Sequence, residues 1–224
     1  MVPLFSRAAR LLAVVAVLSA CSGSQADEVP TSMGSDLGPV ETVSELMRAV
    51  FDGRFEDAAL LTDSEQAVLV ALAEGAEAGE LVDALESDPT VVASNFWSGY
   101  AQTMEGDATI EGLTFDEGDT VTEGDLTYAT VVVEDPSGNQ QLFYLRREEG
   151  WTVDLMATFG PVLAERMIPR VEALLSSANA NAGVLIGLLR DSAASLQVAI
   201  RRPEIDLATH QTLLALIERV TRAS

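Results

Sequence analysis

The spacing of hydrophobic residues changes twice along this chain of 224 residues. Over residues 40–104, and again beyond residue 160, apolar residues recur at steps of three and four, which is the period of an amphipathic helix. Over residues 109–155 the period falls to two, which is typical of strands with one buried face. The pattern therefore predicts an α+β protein in which helices precede and follow a sheet.

The first helical stretch divides into five predicted helices. Asp52-Gly53, the capping residues Asp63 or Ser64, and Pro89 mark three of the divisions. The last helix contains enough β-branched and aromatic residues that a strand is a competing interpretation. The predicted helices span residues 40–51, 54–61, 63 or 64 to 73, 80–86 and 90–104.

Four strands are predicted next, over residues 109–115, 126–134, 140–147 and 151–155. Short turns at residues 135–139 and 149–150 separate the last three, so these strands are expected to run antiparallel. Three helices are predicted after the sheet, over residues 161–176, 183–200 and 206–221. Pro169 is expected to kink or break the first of these three.

The first twenty residues have the composition of an export signal. Arg7 and Arg10 precede an apolar run, residues 11–20, which is too short to span a bilayer as a helix, since that takes about 20 residues. The run ends in Leu18-Ser19-Ala20-Cys21, which resembles the lipobox of bacterial lipoproteins. The resemblance implies cleavage before Cys21, lipid on its thiol, and a place in the cell envelope on the extracytoplasmic face of a bacterial membrane. An ordinary secretory signal with an incidental cysteine is the alternative.

The segment that follows the signal predicts a flexible tether. Residues 21–39 are rich in Ser, Gly, Pro and acidic residues and contain little that could form a core. Cys21 is the only cysteine, so the chain has no disulfide framework. Lipid on Cys21 would leave no thiol for catalysis.

The charge distribution excludes one class of partner and divides the chain. Thirty-five acidic residues stand against 13 basic ones, all of them arginine, for a net charge of −22. This field repels nucleic acid, so no nucleic-acid partner is expected. Residues 22–159 carry 29 acids and four arginines, whereas residues 160–224 carry six acids and seven arginines. Together with the change of period, this shift predicts an α+β domain over residues 40–159 and a helical module over residues 160–224.

Two short segments resemble the NTF2-like superfamily. Asp-Gly-Arg-Phe-Glu-Asp-Ala at residues 52–58 is similar to a short-helix turn that is common there, and Glu-Gly-Trp-Thr-Val-Asp-Leu at residues 149–155 is similar to a common last strand. The resemblance covers residues 40–155 and is strongest to lipoprotein branches of undefined function. It implies a strongly curved antiparallel sheet wrapped around the N-terminal helices, forming a cone with an apolar interior. The C-terminal helices lie outside this pattern.

Large aromatic side chains are the candidate ligand-lining residues of such a cone. These candidates are Trp97, Tyr100, Tyr128 and Trp151. Core packing is the competing interpretation for all four, and their size favours it.

Few residues are suited to catalysis or metal binding. The only histidine, His210, has polar neighbours in the last predicted helix and is expected at the surface. The sequence has no His pair or Cys cluster for a transition metal. The acidic segment 116–125 is interpreted as a solvated turn; a calcium site is the alternative, although the ligand spacing of an EF-hand is missing. Asp154 could point inward as a buried acid, but no residue near it in sequence identifies a partner.

The sequence therefore predicts a non-catalytic lipoprotein without a cofactor or metal, and three hypotheses follow. The first is a binding module that holds a small apolar ligand or docks a partner at its rim; an apolar cavity of about 300 Å³ or more would favour it. The second is a structural or assembly lipoprotein whose C-terminal helices bind another envelope protein, which a filled interior and an exposed apolar stripe would favour. The third, a small hydrolase or isomerase acting through Asp154, requires an inward carboxylate with a raised pKa.

Overall fold

A computed structural model of the chain describes residues 37–104, 109–177, 179–202 and 205–222. The predicted signal peptide, Cys21 and most of the predicted tether lie outside the described residues. The described chain is an α+β structure in which helices precede and follow a four-stranded antiparallel sheet. The helices before the sheet are α1 Pro39–Phe51, α2 Phe55–Leu60, α3 Ser64–Glu74, α4 Ala78–Ser87 and α5 Pro89–Thr103. The strands are β1 Thr114–Glu123, β2 Leu126–Glu134, β3 Gln140–Arg147 and β4 Trp151–Val153, and the later helices are α6 Leu155–Leu175, α7 Ala180–Asp191, α8 Ala193–Ile200 and α9 Leu207–Arg222.

Local capping chemistry explains where the N-terminal helices begin and end. Asp63 caps α3 by accepting a hydrogen bond from the N–H of Gln66 at 3.4 Å. Gly75 ends the same helix in the left-handed conformation, with φ at 105°. Asp88 caps α5, and Pro89 occupies its first turn. The helix prediction for residues 90–104 is therefore confirmed, and the competing strand interpretation is wrong.

The sheet runs in the order β1-β2-β3-β4, and each neighbouring pair is antiparallel. This confirms the antiparallel arrangement predicted for the last three strands. The prediction of a first strand at residues 109–115 is wrong in position, because Ile110–Gly112 form a 3₁₀ turn and β1 begins at Thr114. The turn predicted at residues 116–125 is likewise mostly strand, as far as Glu123. β1 lies at the sheet edge and is largely exposed, so polar residues occupy both of its faces and hide the period of two.

The two faces of the sheet pack against different parts of the chain. One face contributes to the large hydrophobic core, through Val131, Val133, Phe143, Leu145 and Val153. The opposite face carries Tyr128 and Tyr144, which pack with Ala157 of α6 and Val198 of α8 in a second cluster. Both faces are therefore covered in part by helices, and α8 covers the tyrosine face.

Helix α6 begins at Leu155, six residues before the predicted start at 161. Pro161 and Pro169 both lie inside it, so the predicted break at Pro169 does not occur. Pro161 has no N–H for the carbonyl oxygen of Ala157, four residues earlier. Arg202 donates to that oxygen at 3.3 Å and to the carbonyl oxygen of Thr158 at 2.6 Å. A side chain 41 residues further along thus compensates for the proline.

Residues 183–200, predicted as one helix, form parts of two. Helices α7 and α8 meet at Ser192 with a bend of 46°. The bend accompanies the packing of Val198 on the tyrosine face of the sheet. The last predicted helix is confirmed as α9. Within the described ranges no single helix has the length and apolar character to cross a membrane, although α7 and α8 meet that criterion as a bent pair.

The C-terminal helices share one hydrophobic core with the rest of the described chain. Leu163 and Met167 of α6 belong to the same buried cluster as Leu46 of α1. An ion pair between Arg166 and Glu74 also joins α6 to α3. The predicted boundary between residues 159 and 160 falls inside α6. The helices after the sheet therefore contact the N-terminal helices directly.

Candidate functional site

Two of the four candidate ligand-lining residues lie together in an aromatic cluster, defined here as Phe96, Trp97, Tyr100 and Phe159. Trp97 and Tyr100 are 0% and 2% exposed, and their ring centroids are 5.3 Å apart at an interplanar angle of 82°. Phe96 and Phe159 pack edge-on, with their centroids 5.3 Å apart. The indole N–H of Trp97 donates to Thr62 Oγ1 at 2.9 Å. The four side chains of this cluster pack within the hydrophobic core.

Among the described residues, the buried Tyr100 hydroxyl has no hydrogen-bond partner. Burial raises the pKa of Tyr100, so the hydroxyl stays protonated over the physiological range. A buried donor without a partner costs about 1–3 kcal/mol compared with a satisfied one. The aromatic cluster therefore contains an unused donor that a water molecule or a small ligand could satisfy.

The other two candidates lie elsewhere. Tyr128 packs on the opposite face of the sheet with Tyr144, in the second hydrophobic cluster. Trp151 on β4 is partly exposed, and the guanidinium of Arg147 lies 5.6 Å from its ring centroid. The four aromatic residues are thus distributed over three places, and only Trp97 and Tyr100 are in ring contact with each other.

A group of buried, hydrogen-bonded polar side chains lies where α3, the start of α6 and α8 meet. Asp154 is fully buried and caps α6, because its Oδ1 accepts from the N–H of Ala157 at 2.7 Å. Its Oδ2 accepts from Ser195 Oγ at 2.6 Å and from Gln66 Nε2 at 3.1 Å. The Tyr128 hydroxyl lies 3.4 Å from Ser195 Oγ. We call Gln66, Tyr128, Asp154 and Ser195 the polar junction.

The Gln66 amide is held in one orientation within the polar junction. Its Oε1 accepts from the N–H of Met156 at 2.7 Å, which leaves Nε2 to donate to Asp154 and, at 3.3 Å, to Ser195. The three donors to the Asp154 carboxylate are therefore all neutral groups. Each junction member comes from a different element: α3, β2, the β4–α6 connection and α8.

A partly buried ion pair lies beside the polar junction. Arg146 Nη2 lies 2.7 Å from Asp63 Oδ2 and 2.9 Å from Glu148 Oε1. Asp63 and Arg146 are largely buried, whereas Glu148 is exposed. The Nε of Arg146 is buried and has no hydrogen-bond partner in the part of the chain that the structure describes. Arg146 therefore pairs with two carboxylates, while its Nε donates no hydrogen bond to a described residue.

Burial dominates the electrostatics of both buried acids. It raises the pKa of Asp154, and the hydrogen bonds from Ser195, Ala157 and Gln66 oppose that effect only in part. Burial also raises the pKa of Asp63 to about 6, against the attraction of Arg146 and with the negative charge of Asp154 adding to it. Proton uptake is therefore favoured at both positions relative to a solvated aspartate.

Sequence reasoning anticipated an inward Asp154 but not its partners. Gln66 and Ser195 are 88 and 41 residues away from it along the chain, and no periodic pattern connects them. One local signal was available, since an aspartate directly before a helical run is a common N-cap. Capping alone would have placed Asp154 at the start of α6 and left the rest of the polar junction unknown.

The remaining candidates for chemistry are dispersed. His210 lies on α9 and is partly exposed, and its backbone N–H bonds to the carbonyl oxygen of Asp206. Across the part of the chain that the structure describes, no three His, Cys, Asp or Glu side chains are grouped so that they could hold a metal ion.

Exposed apolar side chains concentrate on the helices after the sheet. Five of the seven exposed large hydrophobic residues in the described ranges are there: Val162, Leu175, Val184, Leu207 and Leu214. Leu207 and Leu214 are two turns apart, so they lie on the same side of α9, and Leu207 is 72% exposed. A surface groove of about 490 Å³ is lined by Leu175 of α6 and by Glu218, Arg219 and Arg222 of α9. Most of the exposed large hydrophobic residues in the described ranges therefore lie on the C-terminal helices.

Comparison of the chain with protein-family models, with curated proteins and with solved structures finds no match. Its function is therefore inferred from its own residues.

Proposed function

We propose that this protein is a lipid-anchored, non-catalytic interaction protein of the bacterial cell envelope, which docks a protein partner through its C-terminal helices. The observation that carries the proposal is the concentration of exposed apolar residues on α6, α7 and α9. Exposed apolar side chains that concentrate in one part of an otherwise acidic protein are typical of a protein–protein contact. The lipid anchor would hold that surface near other envelope proteins.

The anchoring part of the proposal rests on residues 18–21. Leu18, Ser19 and Ala20 precede the only cysteine in the order that a lipobox requires. Two or three acyl chains, at about 0.8 kcal/mol per buried CH₂, anchor a protein stably where one chain does not. Cys21→Ser is expected to accumulate uncleaved precursor and to lose partitioning into detergent, measured by phase separation and mass spectrometry. A variant that still matures and partitions with detergent would remove the anchor from the proposal.

The α+β domain is proposed to be NTF2-like, with its N-terminal helices on a curved sheet. Two segments support this proposal. Residues 52–58 form the turn after α1 and the first part of α2, and residues 149–155 form the last hairpin turn, β4 and the start of α6. The C-terminal helices are proposed as an addition to that domain. An experimental structure, in which the curvature of the sheet can be measured, tests the assignment.

Site-specific photo-crosslinking in intact cells tests the docking surface. A photoreactive residue at Leu214 is expected to join the protein to one envelope partner of defined mass. Val91 of α5 is a matched control, because it is 49% exposed and Leu214 is 48% exposed. The crosslinked species should disappear when Leu207, on the same side of α9, is changed to Glu. Equal crosslinking from Leu214 and Val91, or none from Leu214, would contradict the proposal.

A second candidate function is binding of a small, mainly apolar ligand in the α+β domain. The unpaired hydroxyl of Tyr100 favours it, because a ligand with one acceptor would satisfy that donor. Native mass spectrometry of protein purified from its own host would detect a retained ligand. Tyr100→Phe keeps the ring and removes the hydroxyl, so it should weaken retention of such a ligand by about tenfold if one hydrogen bond is lost.

Catalysis through Asp154 is less well supported. Asp154 satisfies the requirement for an inward carboxylate with a raised pKa. Its two oxygens, however, accept from three internal donors, and its carboxylate caps α6. A general acid or base must contact its substrate. The arrangement of Asp154 therefore supports a structural role.

A further inference from the structure

The polar junction and its neighbouring ion pair contain more buried carboxyl groups than buried cations. Asp154 is fully buried, the side chain of Asp63 is 11% exposed, and the guanidinium nearest to both belongs to Arg146. Arg146 is shared further, because it also pairs with Glu148. With both aspartates ionised, the cluster holds an excess negative charge out of water. Such a charge is costly unless it is paired or neutralised by a proton.

The polar junction can hold one additional proton while each of its side chains keeps a hydrogen-bond partner. With Asp154 ionised, the Ser195 hydroxyl donates to the carboxylate and can accept from Tyr128 or Gln66. With Asp154 protonated, its O–H can donate to Ser195, whose hydroxyl can then donate to the Tyr128 oxygen, since a hydroxyl both donates and accepts. Gln66 Nε2 can donate in either state. Each side chain of the polar junction therefore keeps at least one hydrogen bond in either protonation state.

Ser195 is the only member of the polar junction that belongs to α8. Because Ser195 contacts Oδ2 of the fully buried Asp154, α8 in its observed position helps to keep this carboxyl out of water, which disfavours the ionised form. Val198 of α8 adds apolar packing on Tyr128 and Tyr144, which does not titrate near neutral pH. Directly after α8, Arg201 pairs with Glu123 of β1, and the guanidinium of Arg202 lies 5.3 Å from the centroid of the Tyr144 ring.

We propose that Asp63 and Asp154 couple the packing of α8 to proton uptake. In mildly acidic solution α8 is held firmly against α6 and the tyrosine face of the sheet, and this packing loosens as the pH rises. The charged and titratable groups around the pair agree with this direction. Glu65 of α3 and Glu148 of the last hairpin turn add negative charge near Asp63 and Arg146 respectively, and Tyr128 of β2 is neutral. Arg146 is the cation that opposes them. When both aspartates are ionised, the carboxylates therefore repel one another, and the single positive charge of Arg146 does not offset their combined negative charge.

Hydrogen–deuterium exchange of the full chain between pH 5 and pH 8 tests this coupling. After correction for the intrinsic pH dependence of exchange, protection of the α8 amides should fall by up to about tenfold per pH unit over the range in which one proton is released. Asp63→Asn and Asp154→Asn should each reduce the pH dependence. Asp116→Asn is the matched control, because it removes one negative charge from an exposed position of β1 and should leave the pH dependence of α8 unchanged.

A second measurement does not depend on whether the variants fold. Carboxyl ¹³C resonances of aspartate in the wild-type protein report each titration directly, and at least one of Asp63 and Asp154 should titrate at or above about pH 5.5. The proposal is overturned if both titrate below about pH 4.5. It is also overturned if protection of α8 is independent of pH, or if Asp116→Asn changes that pH dependence as much as Asp63→Asn does.

Discussion

Replacing Ser195 by Ala should destabilise the protein far more than the loss of one small hydroxyl from a helix usually does. Ser195 is fully buried, and its Oγ donates to Asp154 Oδ2 at 2.6 Å. Alanine removes that donor and leaves the carboxylate with two donors, Ala157 N–H and Gln66 Nε2. It also removes the partner that lies 3.4 Å from the Tyr128 hydroxyl. The substitution adds no bulk, so its cost comes from lost hydrogen bonding.

The size of the effect follows from the environment of the bond. A hydrogen bond to a charged group contributes about 1.5–3 kcal/mol, and leaving a buried polar group unsatisfied costs about 1–3 kcal/mol. We expect Ser195→Ala to lower the free energy of unfolding by about 2–3 kcal/mol, since Gln66 continues to donate to Asp154. For a chain of this length, 1 kcal/mol corresponds to about 2–4 °C, so the melting temperature should fall by about 4–12 °C.

Urea unfolding followed by tryptophan fluorescence measures the change, because Trp97 is fully buried in the folded protein. Ser192→Ala is the matched control: Ser192 is also buried, but its side chain makes no capping hydrogen bond to α8. The control should change stability by no more than about 0.5 kcal/mol. If Ser195→Ala and Ser192→Ala lower the unfolding free energy equally little, the polar junction does not hold α8 in place.

Three further predictions concern the whole chain. Burial raises the pKa of Asp63 from 3.8 to about 6. The stability contributed by this group is therefore present below about pH 4 and is lost as the pH rises through about 6. Urea titration should show the unfolding free energy to be about 1–3 kcal/mol higher at pH 5 than at pH 8. The melting temperature should rise between low salt and about 1 M NaCl, because ions screen the repulsion within residues 22–159, which carry 29 acids and four arginines; no change, or a fall, in calorimetry would contradict this explanation. A chain ending at Phe159 should bind a hydrophobic dye and melt at a lower temperature than the mature chain, since it loses most of α6, including the core residues Leu163 and Met167. An unchanged melting temperature would show that the C-terminal helices do not stabilise the N-terminal helices and the sheet.

Much of the secondary structure could be predicted because it depends on neighbours in sequence. The period of three and four in residues 40–51 identified α1, and Asp63 and Gly75 mark the ends of α3 with side-chain and backbone chemistry that is local. The alternation in β2 and β3 and the turn between them predicted an antiparallel pair, which the sheet contains. These features require no knowledge of what packs against them.

The errors occur where a distant residue decides the local structure. Pro161 suggested that a helix begins there, yet α6 starts at Leu155, directly after its cap Asp154. Arg202 donates to the carbonyl oxygen of Ala157, which the proline leaves without its helical donor. The acidic residues of β1 suggested a turn, yet pairing with β2 makes them a strand whose side chains face solvent. Residues 183–200 suggested one helix, yet the chain bends at Ser192, and α8 then packs on the tyrosine face.

The sequence by itself determined the order of helices and strands, the acidic and arginine-only charge pattern, and the lipobox-like segment that ends at Cys21. Periodicity, capping and composition are properties of short stretches of chain, so they can be inferred without a fold. Only the tertiary structure decided that Asp154 meets Gln66 and Ser195, and that Trp97 and Tyr100 pack apart from Tyr128. A buried contact between residues tens of positions apart depends on how whole elements pack, because many arrangements of the same helices would bury equal apolar area while only a few would also satisfy a buried carboxylate.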